Sequence, residues 1–227
     1  MPSPERRYLS EAQHARDPQL AAFIEAIHGV LDSSSSVVET LAAVSEQVRG
    51  FLPHWRLPDA RYLARQPGKR YGSYLLYRAA DTRFVIVIDT FDAGQTSQIH
   101  NHRTWAVVGL IEGTERNRIY LPARALDAPP QLLDEYVTRP GEVFALQETQ
   151  MHQLQTAEDA LSVSFHVYGA DVGTIQRLRW DEASAAYREF RQGWSNDVVD
   201  LPVYLDGPVL SEIELRRQCV GYLQGAD

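Results

Sequence analysis

Residues 20 to 52 carry the first legible pattern in the chain. Leu20, Phe23, Ile24, Ile27 and Leu31 recur at three- and four-residue intervals, which is one face of an amphipathic helix. Ser34 to Ser36 interrupts that run and can cap a second helix, in which Val38, Leu41, Val44, Val48 and Leu52 keep the period until Pro53 stops it. From Tyr71 the texture changes. Tyr74 to Tyr77, Phe84 to Asp89, Trp105 to Ile111, Arg118 to Leu121, Glu142 to Leu146 and Leu161 to Tyr168 are short β-rich runs separated by Gly, Pro, Asp and Asn turns. Such spacing predicts a mainly β sandwich or barrel with the two helices packed outside it. Arg177 to Trp180 and Tyr187 to Phe190 predict a further hairpin, although Asp181 to Arg191 also carries a helical period. Leu210 to Leu223 predicts a last helix. The expected organisation is a helical segment over 1–60 belonging to the same domain, a β-barrel over 61–208 and a C-terminal helix over 209–227, with residues 1 to 17 a polar lead-in.

Composition narrows this picture in three respects. A hydrophobic share of 44% with 23% charged residues over 227 positions describes a folded globule able to bury a core. A net charge of −8 disfavours a nucleic-acid partner, because phosphate binding needs clustered Lys and Arg, and none is expected. The N-terminal stretch has no apolar run, so neither a signal peptide nor a membrane span is expected, and the single Cys219 leaves no partner for a disulfide within the chain. A cytoplasmic protein is the expectation.

Chemistry concentrates between Gly94 and Tyr120. His100 and His102 are two apart, so in an extended strand both imidazoles leave the same face and one cation can take both. At least one more donor is needed. His14, His28 and His54 fall in the helical part and read as surface or satisfied core residues. His152, eleven residues after the Pro140-Gly141 turn, supplies the third ligand, with His166 the competing assignment. Ser164, His166 and Tyr168 also share one strand face, where Ser164 can hold the His166 ring and His166 can orient the phenol.

Gly94, five residues, His100-x-His102, and then Pro140-Gly141 followed by a lone His152 resembles the two-motif signature of the cupin β-barrels. Cupins ordinarily add a Glu soon after the second His, where this chain has Ala106 and Val107. Without that carboxylate, and with Ser164, His166 and Tyr168 present, residues 70 to 196 resemble the thiol dioxygenases of the cysteine dioxygenase family. The resemblance implies a cupin (jelly-roll-like) β-barrel whose three histidines hold Fe(II) with three adjacent coordination positions free. It further implies a substrate thiolate oxidised to a sulfinic acid by O2, with Tyr168 as an outer hydrogen-bond donor. Some relatives cross-link a cysteine to that Tyr; here the position is Val107. His102 to Trp105 and Tyr168-Gly169 are similar to the bacterial 3-mercaptopropionate dioxygenase branch.

The same resemblance bears on substrate. Relatives place Arg or Gln where this chain has Ser73, which cannot form a bidentate carboxylate pair. Arg177 matches another Arg of the mercaptopropionate branch and is the candidate carboxylate contact. Trp105 is a further candidate for the pocket wall, and Met151 for pocket or core. The expected activity is therefore oxygenation of a small carboxylate-bearing thiol, 3-mercaptopropionate- or cysteine-like, with a larger or differently charged thiol accommodated by the shortened Ser73. The expected partners are that thiol and O2, and oligomeric state stays open. Alternatives are a cupin metalloenzyme of specialised metabolism giving another product, and a non-oxygenase cupin acting as isomerase, hydrolase or ligand-binding module.

Overall fold

A computed structural model of the chain describes residues 17–57, 60–65, 68–121, 128–196, 201 and 203–205. The expected lead-in up to residue 16, with His14, and the expected helix Leu210 to Leu223, with Cys219, lie outside the described residues.

Helix α1, Pro18–Ser33, begins where Asp17 accepts from the backbone N–H of Leu20 at 2.9 Å, with proline at the first helical position. Helix α2, Val37–Phe51, starts at Ser36, whose hydroxyl accepts from Glu39 N, while Glu39 reaches back to Ser35. Pro53 ends it in a short 3-10 turn, Leu52–His54. Leu20, Phe23, Ile24, Ile27, Leu41, Val44 and Val48 are buried, as the periodicity requires.

The strands are β1 Tyr71–Arg78, β2 Val85–Phe91, β3 His100–Asn101, β4 Ala106–Glu112, β5 Glu115–Leu121, β6 Gln131–Thr138, β7 Val143–Leu146, β8 Met151–Thr156, β9 Ser162–Tyr168, β10 Arg177–Asp181, β11 Ala186–Phe190 and β12 Tyr204–Leu205. They form two six-stranded sheets, ordered β12-β1-β2-β9-β4-β7 and β11-β10-β3-β8-β5-β6. Within these, β2-β9-β4-β7 faces β3-β8-β5-β6, the paired Greek keys of a jelly roll. The protein is thus mainly β with its helices outside, the architecture expected of a cupin.

Strand β9 is buried on both faces along its whole length. Val163, Phe165 and Val167 face the helices, where the Phe23 and Phe165 rings meet edge-on at 5.5 Å. The helix comes so near the sheet that a Cβ on Gly109 would stand 2.3 Å from Leu52 Cδ1. Ser162, Ser164, His166 and Tyr168 point the other way, into the barrel. The hairpin β10–β11 forms as the aromatic alternation indicates. One strand has no clear counterpart in the sequence pattern. β6 lies at a sheet edge with Leu132 and Leu133 both exposed and only Thr138 buried, so its residues never alternate cleanly. Among the described residues, no helix is long and apolar enough to cross a membrane.

Candidate metal centre

His100 and His152 are direct cross-strand partners on β3 and β8, and His102 follows just past the end of β3. Between them Asn101 turns away and accepts from Leu178 N at 2.8 Å, which anchors β10 beside the histidines. Arg103, at φ 51°, then bends the chain out of line. The potential ligand atoms of His100, His102 and His152 all lie within 4.8 Å of one another, and no other such group occurs among the described residues.

This trio fits a divalent cation. His100 donates from Nδ1 to the Gln98 carbonyl at 2.8 Å, which leaves Nε2 with a bare lone pair toward the cluster. His102 Nε2 and His152 Nε2 face each other at 3.0 Å. Two ring nitrogens this close can be taken by one cation. Burial keeps all three rings neutral, as metal ligation requires: His100 is pushed down to about 4, and His102 and His152 well below 6.5. The Arg177 cation and the neighbouring rings add to the effect. His152 Nδ1 is buried without a hydrogen-bond partner.

His166 is not among the trio. Its Nδ1 lies 2.8 Å from the Tyr168 hydroxyl and its Nε2 lies 2.8 Å from Ser164 Oγ, so both nitrogens are used. This pair of bonds can run in either direction. With Ser164 donating to His166 and His166 donating to the phenol oxygen, the Tyr168 O–H is left to point elsewhere. Burial holds the Tyr168 hydroxyl well above its usual range, so it stays protonated, and its ring packs 4.7 Å from that of His102.

His100 and His102 open onto a cavity of about 510 Å³ whose wall also includes Ser73, Asp89, Tyr168 and Arg177. Arg177 is only 4% exposed, donates to His102 Nδ1 at 3.2 Å and to Gln192 Oε1 at 3.0 Å, and lies over the Phe190 ring. It has no carboxylate partner among the described residues, and its Nε is buried without any partner. Burial lowers its pKa from the ordinary arginine value. The Asp89 carboxylate offsets part of the cost of that burial from a distance, and an incoming anion would give the guanidinium a direct partner. Lys69, Arg179 and Arg191 add positive charge to the cavity wall.

Of the residues expected to contact substrate, Ser73 and Arg177 line the cavity and Trp105 does not. Ser73 lines the cavity and donates to Asp89 Oδ1 at 2.6 Å. Trp105 does not reach it: its parity matches Val107, which faces the helices, and its indole covers Gly169, where a Cβ would stand 2.2 Å from Trp105 Nε1. The tryptophan on the cavity wall is Trp194. Met151 belongs to a cluster with Ile99 and Trp180, away from the cavity. Asp89 was the residue hardest to see in advance. Its signal is a charged side chain at the same inward parity as Val85 and Val87.

No protein-family profile matches the chain. Among solved structures, KdgF from Halomonas sp. is similar at 15% identity over 49% of this chain and 88% of that one, with a TM-score of 0.38. An RmlC-like cupin family protein from Methanocaldococcus jannaschii gives 9% identity, 47% and 87% coverage and a TM-score of 0.35. An oxalate oxidase in complex with glycolate gives 17%, with 51% of this chain and 62% of that one covered and a TM-score of 0.37. It is the strand order above that makes this barrel a jelly roll; neighbours so distant add nothing on chemistry.

Proposed function

We propose that the protein is a non-heme Fe(II) thiol dioxygenase that converts a small carboxylate-bearing thiol and O2 to the sulfinic acid. The reaction balances as R–SH + O2 → R–SO2H, with both oxygen atoms ending on sulfur. The observation that carries the reading is a combination of neighbours: three grouped imidazoles, two of which line the cavity, a buried guanidinium on the same wall with no carboxylate hydrogen-bonded to it among the described residues, and a phenol backed by a Ser-His relay.

Each group has a task in this reading. His100, His102 and His152 hold the iron, which when bound supplies the one-electron chemistry that lets dioxygen react with a thiolate. Arg177 binds the substrate carboxylate and so fixes where the sulfur lies. Tyr168 keeps its proton and donates to developing negative charge, while His166 and Ser164 hold the phenol in position.

The test is oxygen uptake by iron-loaded, reduced protein with 3-mercaptopropionate, cysteine, cysteamine and mercaptosuccinate, with product mass. Thiol-dependent uptake and a gain of two oxygen atoms is the expected result. Turnover with zinc in the absence of oxygen would replace this reading with a hydrolase or isomerase.

A further inference from the structure

A layer of polar side chains lies inside the barrel behind Ser164, away from the cavity. Glu115 opens β5, fully buried, and shares its inward face with its cross-strand partners Thr138 on β6 and Thr156 on β8. The turn before it runs so near β9 that a Cβ on Gly113 would stand 2.2 Å from the Leu161 carbonyl oxygen and 2.9 Å from Ser162 Cα. That approach sets Glu115 against Ser162 and Ser164, which with Asn117 stand close enough to bias its ionisation. Neither carboxyl oxygen is hydrogen-bonded, and Asn117 Oδ1 and Ser162 Oγ are also buried without a partner. A carboxyl in such a place favours its protonated form, and when ionised it draws any hydroxyl that can donate to it.

Ser164 connects this layer to the cavity. Its Oγ lies 2.8 Å from His166 Nε2, His166 Nδ1 lies 2.8 Å from the Tyr168 hydroxyl, and Tyr168 lines the cavity. A serine hydroxyl accepts one bond while donating another, so Ser164 can receive from His166 and give to Glu115. We propose that Glu115 is the buried proton acceptor of this relay, taking up the proton that the substrate thiol loses on binding. The inference rests on the thiol dioxygenase reading. The S–H bond breaks with its electron pair left on sulfur, and its proton goes to the Tyr168 oxygen. The Tyr168 proton passes to His166 Nδ1, the His166 Nε2 proton to Ser164, and the Ser164 proton to Glu115. Serine, imidazole and phenol end neutral as they began, and one negative charge has moved from the carboxylate to sulfur. Every hydrogen bond in the relay is then reversed, which leaves the Tyr168 O–H to donate into the cavity. Loss of the thiol proton thereby arms that donor.

Asp89 is the other carboxyl near the relay, with Oδ2 3.5 Å from His166 Nε2. It accepts from Ser73 at 2.6 Å and lies within charge range of Arg177, so its negative charge is already matched. Glu115 has neither partner. Asp89 on β2 and His166 on β9 are the titratable groups beside it among the described residues. Leu110, Asn117, Thr138 and Thr156, which face it from β4, β5, β6 and β8, carry no charge, and burial keeps the Tyr136 phenol on β6 protonated.

Proton counting tests the assignment. Cobalt-substituted protein takes up 3-mercaptopropionate without oxygen in weak buffer with a pH-indicator dye, and the thiolate-to-cobalt absorption band measures the thiol bound. At pH 8, where Glu115 is ionised, the unaltered protein should release close to no proton per thiol, and Glu115→Gln about one. At pH 5.5, where the acceptor is already filled, both should release about one. Ser164→Ala, which keeps the carboxyl and cuts the relay, should match Glu115→Gln at pH 8. With iron and oxygen, kcat/KM should rise through about pH 7 in the unaltered protein and lose that rise in Glu115→Gln, with a value about tenfold or more lower at pH 8. Equal proton release from the unaltered protein and Glu115→Gln at pH 8 overturns the assignment and leaves the thiol reading standing. Release from Asp89→Asn alone overturns it in favour of Asp89. No absorption band with any of these proteins removes the thiol reading and the relay acceptor with it.

Discussion

Arg177 Nη1 stands 3.2 Å from His102 Nδ1, so the buried guanidinium touches one of the three grouped imidazoles while it also lines the cavity. A positive charge that near disfavours a second cation on the same ring and favours an anion arriving in the cavity.

Arg177→Gln should therefore act in two directions. Competition against a chelator should give a several-fold tighter Co(II) site, because a neighbouring positive charge is gone. KM for a carboxylate-bearing thiol should rise by about 10- to 100-fold, the loss of a charge-assisted pair, while cysteamine, which has no carboxylate, should be unaffected. Equal effects on both thiols would mean that Arg177 only supports the fold.

Tyr168→Phe removes the donor and leaves the ring. Iron content should be unchanged, since the phenol lies outside the trio, and kcat should fall by about 10²-fold. His166→Gln should give part of that loss, because the phenol remains but is no longer held at 2.8 Å. Steady-state oxygen uptake beside iron analysis reads both.

The choice between His152 and His166 as third ligand is open to direct test. His152→Ala should abolish stoichiometric iron, whereas His166→Ala should retain it, because both ring nitrogens of His166 are engaged by Ser164 and Tyr168. Metal loss in the His166 variant alone would reverse the assignment.

How much of this could be read from the chain follows from which residues have periodic neighbours. The helices were legible because their apolar positions face a sheet and repeat accordingly, and β9 because Val163, Phe165 and Val167 alternate with Ser164, His166 and Tyr168 at a two-residue period. His100 and His102 were legible because two-residue spacing is itself a geometric statement. Asp89 and Glu115 were not, since an isolated carboxyl on a strand looks like a solvent-facing residue until the opposing sheet covers it. Trp105 was misplaced by one parity step: it precedes β4 on the helix side, and proximity in sequence to His102 says nothing of which face it takes. Strand β6 escaped because an edge strand exposed on both sides has no pattern to detect.

Glu115 offers the last test, through stability. It is fully buried at the inward start of β5, and neither carboxyl oxygen has a hydrogen-bond partner, although Ser162, Ser164 and Asn117 lie close enough to soften the cost. Burial, with Asp89 nearby, pushes its pKa up from 4.5 to about 7. The folded state thus keeps a proton that the unfolded chain releases near 4.5, so this group favours folding below that pH and its contribution is lost as pH rises through about 7. The loss is on the order of 3 kcal/mol across the interval. The buried histidines run the other way: their depressed values mean that stability rises with pH from about 4 to 6.5. The two trends mask each other in the unaltered protein, and a difference measurement separates them. Urea unfolding of Glu115→Gln against the parent should give little difference near pH 4.5 and a variant more stable by on the order of 1–3 kcal/mol at pH 8. Stability curves that stay parallel from pH 4.5 to 8 would mean that the carboxyl is solvated by water within the barrel, and that the polar layer beneath Ser164 is wet.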